Sequence, residues 1–163
     1  MMQAASPTTF RDFTLELATE VVEEFRGQPG ALIVALHKLQ ETFGYVDEAA
    51  MPMLARLFNL SRAEVHGVIS FYHYFRSTPP GHHTIHLCRA EACQSMGCER
   101  LVERAESRLG IECGNTSADG RVTLEAVYCL GLCATAPSAM IDGRVIGRLD
   151  AGRLDELLRE AQA

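Results

Sequence analysis

Four cysteines occur as two close pairs in the second half of the chain. Cys88 and Cys93 form a C-x4-C pair, and Cys129 and Cys133 form a C-x3-C pair. A two-iron sulfur centre takes four thiolates, two on each iron, so two pairs from distant segments suit it. A tetrahedral zinc site made of four cysteines uses similar spacings and is the alternative. A redox disulfide of the C-x-x-C type fits neither pair. The pattern therefore favours a metal–sulfur centre over a disulfide.

The remaining two cysteines are not predicted to bind metal. Cys98 falls inside a predicted helix, where a small packed residue is expected, and Cys113 is interpreted as a strand-end or free thiol. Gly97 and Gly131 leave room for main-chain N–H groups to reach the sulfur atoms of the two pairs. A centre with two histidine ligands is unnecessary, because four paired cysteines are available.

Composition excludes several classes of function. The chain has 163 residues and a formal net charge of -6 with no basic run, which argues against a nucleic-acid partner. No apolar stretch reaches the roughly 20 residues that span a bilayer, and residues 1–11 lack a secretory core. Cytoplasmic location is therefore expected, and there cysteines are reduced or ligated. Neither a G-x-G-x-x-G dinucleotide motif after a strand nor a P-loop occurs, and no catalytic residue is predicted.

The first 76 residues are predicted to form a helical bundle, with residues 1–9 frayed. Apolar positions at helical spacing, a capping box that starts at Ser61 and a helix-ending Gly44 support this. The predicted helices cover Phe10–Phe25, 31–43, Glu48–Asn59 and 61–70. Residues 77–81, which contain Pro79, Pro80 and Gly81, are predicted to be a linker.

Residues 82–163 are predicted to form a second domain of mixed helix and strand. Strands over His83–Leu87 and Arg121–Tyr128 would each deliver the first cysteine of a pair. A hairpin turning at Asp142 and Gly143, and two helices over Gln94–Leu109 and Leu154–Ala161, complete the order. The N-terminus of the helix after Cys93 would favour a negatively charged centre. The chain as a whole is predicted to be of the α+β class.

An aromatic run, residues 71–75, precedes the linker and allows two interpretations. Aromatic side chains are more often buried than not, which favours a hinge between the domains with alternate residues inside. The same side chains could instead form a docking surface for a partner. The apolar faces of the helices could also contact a partner, because a helical unit this small buries little surface by itself.

These residues together resemble a known family, the thioredoxin-like [2Fe–2S] subunits of the NADH dehydrogenase module. The family includes a small subunit of respiratory complex I, the diaphorase part of NAD-reducing hydrogenases and the gamma subunit of NAD-dependent formate dehydrogenases. The resemblance covers nearly the whole chain from about Phe13 onward. The matching segments are GALIVALHKLQETFGYV (30–46), LSRAEVHGVISFYHYFR (60–76), HTIHLCRAEACQSMG (83–97), DGRVTLEAVYCLGLCATAP (119–137) and the C-terminal helix.

The resemblance implies a helical bundle followed by a thioredoxin-like α/β domain that carries one [2Fe–2S] cluster. It implies that the ligands are Cys88, Cys93, Cys129 and Cys133. The chain would be a non-catalytic electron-transfer subunit, and FMN and NAD would bind to a flavoprotein partner. The segment CRAEACQSMG (88–97) and the short C-terminus most resemble the formate dehydrogenase gamma subunits, ahead of the complex I and hydrogenase subunits. When isolated, the chain could form a homodimer.

Two other classes of function are alternatives. In the first, zinc stabilises an interaction module whose helical arm binds a partner. In the second, the chain is a stand-alone iron–sulfur sensor, which usually needs an output domain. The acidic sequence shows no such domain.

Overall fold

The computed structural model describes residues 10–162, so the segment predicted to be frayed, residues 1–9, lies outside the described residues. These residues divide into two compact units, of which one ends at Pro79 and the other begins at Pro80. No helix within residues 10–162 is long and apolar enough to cross a membrane. The mixture of helices with a sheet agrees with the predicted α+β class.

The N-terminal unit is helical. Its helices are α1 (Leu15–Val22), α2 (Leu32–Phe43), α3 (Met51–Phe58) and α4 (Arg62–Phe71), with short 3-10 turns at Glu23–Phe25 and Glu48–Ala50. The helices share one core, whose fully buried members include Val22, Leu36, Leu39, Leu54 and Val65. Hydrophobic burial is therefore the main force that holds this unit together.

Local capping signals explain where these helices begin and end. The predicted capping box is confirmed: the Ser61 hydroxyl accepts from the Glu64 N–H at 3.2 Å, and the Glu64 carboxylate accepts from the Ser61 N–H at 2.8 Å. Gly44 ends α2, as predicted, and the structure shows it in the left-handed conformation. The prediction of a first helix from Phe10 was wrong, because Thr14 caps α1 by accepting from the Leu17 N–H.

The C-terminal unit is built on a sheet of strands in the order β2-β1-β3-β4. The strands are β1 (His83–Cys88), β2 (Val122–Val127), β3 (Ala139–Ile141) and β4 (Arg144–Ile146). β1 pairs with β2 in parallel and with β3 antiparallel, and β3 pairs antiparallel with β4. Helices α6 (Cys98–Leu109) and α7 (Ala151–Gln162) pack against the sheet and share its core. That core includes Ile85, Val102, Leu124, Ile141 and Leu154.

The local sequence was sufficient to predict the hairpin, but it was not sufficient to predict the helices around Cys93. Asp142 and Gly143 turn the hairpin with φ of 48° and 82°, the left-handed values that a tight two-residue turn requires. The single helix predicted over Gln94–Leu109 was wrong. A short helix α5 (Glu91–Ser95) is separated from α6 by Gly97, whose φ is 82°. A left-handed residue cannot continue an α-helix, so the chain breaks there.

Candidate metal centre

The first cysteine pair, Cys88 at the end of β1 and Cys93 in α5, is buried. β1 runs directly into Cys88, which pairs in register with Val127 of β2. Cys88 also donates its N–H to the Ser138 carbonyl at 3.0 Å, so the sheet fixes its main chain on both sides. Cys93 lies in α5. Only 3% and 2% of the surfaces of Cys88 and Cys93 are exposed, so water has little access to either thiol.

The second pair, Cys129 and Cys133, is exposed on the loop that follows β2. The two Sγ atoms lie 3.9 Å apart. The Gly131 N–H donates to the Cys129 Sγ at 3.3 Å, so a main-chain group reaches that sulfur as the sequence predicts. Cys129 has a φ of 143°, a conformation rarely adopted by residues with a side chain. The loop thus holds a residue in a strained backbone conformation whose Sγ lies beside that of Cys133.

The topology brings the two pairs to the same end of the sheet. β1 and β2 are parallel, so their carboxyl ends are adjacent, and a cysteine pair follows each end. Leu130, in the loop that carries the second pair, packs against the buried cluster of Cys88, Cys93 and Cys98, so this loop reaches the first pair. Among the described residues, no three His, Cys, Asp or Glu side chains converge as a site for a single metal ion. The thiols are instead arranged as two neighbouring pairs.

Hydrogen bonds and burial act in opposite directions on the buried thiols. Burial alone would raise the pKa of Cys88, but hydrogen bonding to its sulfur, most of all from the Ala90 N–H, holds that pKa below its ordinary value. For Cys93 burial prevails, and its pKa is raised although Ser138 opposes this through its hydroxyl and its N–H. The pKa values of the two thiols of the first pair are therefore shifted in opposite directions.

The pKa of Cys133 is raised as well, first by its hydrogen bond with Cys129 and then by the charge of Cys129. The charges of Cys93 and Cys88 contribute in the same direction. Ionisation of one thiol of this pair therefore makes ionisation of the other less favourable. A bound cation removes that repulsion, and sulfur ligands select soft metals and iron–sulfur clusters. The residues at this end of the sheet therefore fit an iron–sulfur centre.

The remaining thiols occupy different surroundings. Cys98 is 3% exposed and packs beside the first pair, at the first residue of α6. Burial and the neighbouring Glu99 raise the pKa of Cys98 to about 11, which keeps it a neutral thiol. The pKa of Cys113 is also raised by burial. Its main-chain N–H donates to Glu106 at 2.9 Å.

Two details differ from what the sequence suggested. The Gly97 N–H donates to the Gln94 carbonyl at 2.9 Å, so it caps α5, and the prediction that it points at sulfur was wrong. Ser138 was missed altogether. Its hydroxyl lies 3.6 Å from the Cys93 Sγ. No motif signals this contact, since it depends on the pairing of β3 with β1.

Comparison with known proteins supports the same centre. The family model described as thioredoxin-like [2Fe-2S] ferredoxin matches residues 18–162. The chain is 32% identical over 141 residues to NADP-reducing hydrogenase subunit HndA of Solidesulfovibrio fructosivorans, with 86% of this chain and 82% of that protein covered. It is 31% identical over 138 residues to NADH-quinone oxidoreductase subunit 2 of Thermus thermophilus, with 84% and 76% covered.

A solved structure also resembles the chain. The crystal structure of an NAD+-reducing [NiFe]-hydrogenase in the air-oxidized state superposes with a TM-score of 0.69 and 33% sequence identity. The match covers 81% of this chain and 23% of the hydrogenase chain. The chain thus corresponds in fold to one part of that larger polypeptide.

Proposed function

Because the chain belongs to the thioredoxin-like [2Fe–2S] ferredoxin family, we propose that it is an electron-transfer subunit of an NAD-dependent oxidoreductase complex. Its ligands are Cys88, Cys93, Cys129 and Cys133, which hold one [2Fe–2S] cluster. The observation that carries this proposal is the arrangement of the thiols as two pairs at the adjacent ends of parallel strands. A two-iron cluster uses one pair of thiolates on each iron, which this arrangement can provide.

The residues around the pairs have distinct tasks. When bound, such a cluster takes up and releases one electron at a time. Cys88 and Cys93 are buried, so they anchor the group where water is excluded. Cys129 and Cys133 are exposed and leave the group within reach of a partner. The Gly131 N–H stabilises the negative charge on the Cys129 sulfur, and hydrogen bonds of this kind tune the potential of the centre.

The partner that we propose is a flavoprotein subunit that binds FMN and NAD. The chain carries no dinucleotide fingerprint of its own, and its relatives are subunits of hydrogenases and NADH-quinone oxidoreductases. The assembly that we rank first is the cytoplasmic NAD-dependent formate dehydrogenase, because of the segment CRAEACQSMG (88–97). The relatives found favour the complex I and hydrogenase assemblies as alternatives. Homodimerisation of the isolated chain stays a prediction.

The aromatic run, residues 71–75, supports the docking interpretation. Phe71 and Tyr74 are 73% and 63% exposed, and Tyr72 is exposed as well, whereas Phe75 is buried. The alternating burial expected of a hinge is therefore not found. Large exposed aromatic side chains are enriched in protein interfaces, so we propose that this run contacts the partner subunit.

Single substitutions test which cysteines hold the cluster. The full chain is purified without oxygen as wild type and as Cys→Ser variants, and iron and acid-labile sulfide are counted per chain. The proposal predicts about two irons in wild type and loss of iron and sulfide in each variant at the four ligand positions. Cys98→Ser and Cys113→Ser are the controls and should keep both. A colourless wild-type protein that holds zinc and no sulfide would instead support the zinc-stabilised module.

A second experiment identifies the assembly. The affinity-tagged full chain is expressed in its own cells and purified with its bound partners. Co-purification of a flavin-containing subunit is expected. Reduction of NAD by formate, reduction of NAD by hydrogen, or oxidation of NADH by quinone in that preparation then distinguishes the three assemblies. A tagged chain that recovers its cluster but no flavoprotein would contradict the proposed partner.

A further inference from the structure

Ser138 is a buried polar residue that contacts both cysteines of the first pair. It is 2% exposed, and it stands immediately before β3. Its main-chain carbonyl accepts the Cys88 N–H at 3.0 Å, and its hydroxyl lies 3.6 Å from the Cys93 Sγ. One residue therefore fixes the main chain of one ligand and contacts the sulfur of the other.

The direction of the hydroxyl contact follows from the chemistry of the ligand. Between a thiol and a hydroxyl either atom can donate, but a thiolate bound to metal carries no proton. Ser138 is then the donor and the Cys93 sulfur the acceptor. Hydrogen bonds to charged acceptors are the stronger ones, and they are strengthened further where water is excluded. The burial of both residues meets that condition.

The position of the donor is set by the fold. The pairing of β3 with β1 places Ser138 beside Cys88, and the Leu149 N–H donates to the preceding Pro137 carbonyl at 2.9 Å. In the exposed pair the donor is a main-chain group instead of a side chain, because Cys129 receives its hydrogen bond from the Gly131 N–H. Side-chain substitution at position 138 can therefore remove a sulfur hydrogen bond without altering a ligand or the main chain.

We propose that the Ser138 hydroxyl donates a hydrogen bond to the Cys93 sulfur and thereby raises the reduction potential of the cluster. This inference rests on the proposed function, since it requires the cluster to be bound. One-electron reduction places additional negative charge on the iron–sulfur centre and its ligand sulfurs. A donor beside one of those sulfurs stabilises the reduced state more than the oxidised state, so its presence favours reduction.

The test is a redox titration of the anaerobically purified full chain with its cluster, followed by low-temperature EPR. Ser138→Ala should keep its iron but accept an electron with an equilibrium constant about tenfold smaller, which is a midpoint about 59 mV more negative for one electron. Ser138→Thr keeps the hydroxyl and should titrate near wild type. Thr123→Val removes another buried hydroxyl, one that accepts from the Gly81 N–H, and should leave the midpoint unchanged.

The outcomes separate the inference from the function on which it rests. A wild-type protein with no iron and no EPR signal would overturn the proposed function. A normal signal with the same midpoint in Ser138→Ala as in wild type would overturn only the role of Ser138. If Ser138→Ala binds too little iron to titrate, Ser138→Val, which matches Ser138→Thr in shape but has no hydroxyl, replaces it and must titrate below Ser138→Thr. Equal midpoints for the variants with and without the hydroxyl would also contradict the inference.

Discussion

Gly147 approaches the turn that carries Cys133 so closely that a methyl group there should disturb the second cysteine pair. The residue directly follows β4 and packs against Thr135, the last residue of the short 3-10 turn Cys133–Thr135. A Cβ atom at position 147 would overlap the Thr135 hydroxyl. It would also lie 2.8 Å from the Thr135 Cβ and 3.0 Å from its carbonyl oxygen. Gly147→Ala therefore has to displace the turn.

The loss of stability in Gly147→Ala depends on which atoms the added methyl group would overlap. The Thr135 Cβ and carbonyl are fixed by the main chain, so rotation of a side chain cannot relieve the overlap, and overpacking of this kind costs about 1–3 kcal/mol. The segment is also held by hydrogen bonds from the Arg148 N–H to the Thr135 carbonyl and from the Leu149 N–H to the Pro137 carbonyl. Weakening these two bonds adds about 1 kcal/mol. The free energy of unfolding should fall by about 2–4 kcal/mol.

The assay is urea unfolding of the metal-free full chain followed by circular dichroism, together with the iron content of the protein purified without oxygen. Gly152→Ala is the matched control, because it lies in α7 and a Cβ there meets an ordinary contact of 3.4 Å. It should be neutral or slightly stabilising. Adding Thr135→Ala to Gly147→Ala should restore part of the stability. A Gly147→Ala protein with wild-type stability and full iron content would refute the reasoning.

Two further predictions concern the helical unit and the buried thiol. The Gln40 side chain donates to the Tyr74 carbonyl and accepts from the Arg76 N–H, both at 2.7 Å. Gln40→Ala should therefore lower the free energy of unfolding by about 2–4 kcal/mol. The exposed Gln28→Ala should change it by less than about 0.5 kcal/mol in the same urea titration, and equal effects would contradict this. The pKa of Cys98, about 11 against an ordinary 9.0, should slow its alkylation at neutral pH at least about a hundredfold relative to a free thiol. The folded chain holds this proton more tightly than the unfolded chain, so the associated stability is lost as the pH rises from about 9 through about 11. Mass spectrometry of alkylated Cys98 measures the rate, and reaction as fast as a small thiol would show that the site is open.

Features encoded by neighbouring residues could be predicted from the sequence. The cap at Ser61, the left-handed end of α2 at Gly44 and the turn at Asp142 each depend on a few adjacent residues, and the structure has them where the sequence places them. The strands that lead to Cys88 and Cys129 were likewise visible as short apolar runs. For this reason the location of the candidate centre at strand ends could be anticipated.

Features set by contacts between distant segments could not be predicted. The contact of Ser138 with Cys93 spans 45 residues and exists only because β3 pairs with β1. The break at Gly97 was missed because a glycine near a helix start is compatible with either a continuous helix or a left-handed stop, and tertiary packing decides between them. Packing also brings Cys98 against the first pair.

We propose above all that the two thiol pairs at one end of the sheet hold a [2Fe–2S] cluster. The most direct measurement is low-temperature EPR of the full chain purified without oxygen, before and after reduction with dithionite, combined with iron and sulfide counts. A bound [2Fe–2S] cluster should give a silent oxidised sample, a spin-half signal on reduction and about two irons per chain. A colourless protein that contains zinc, lacks sulfide and gives no signal after reduction would contradict it.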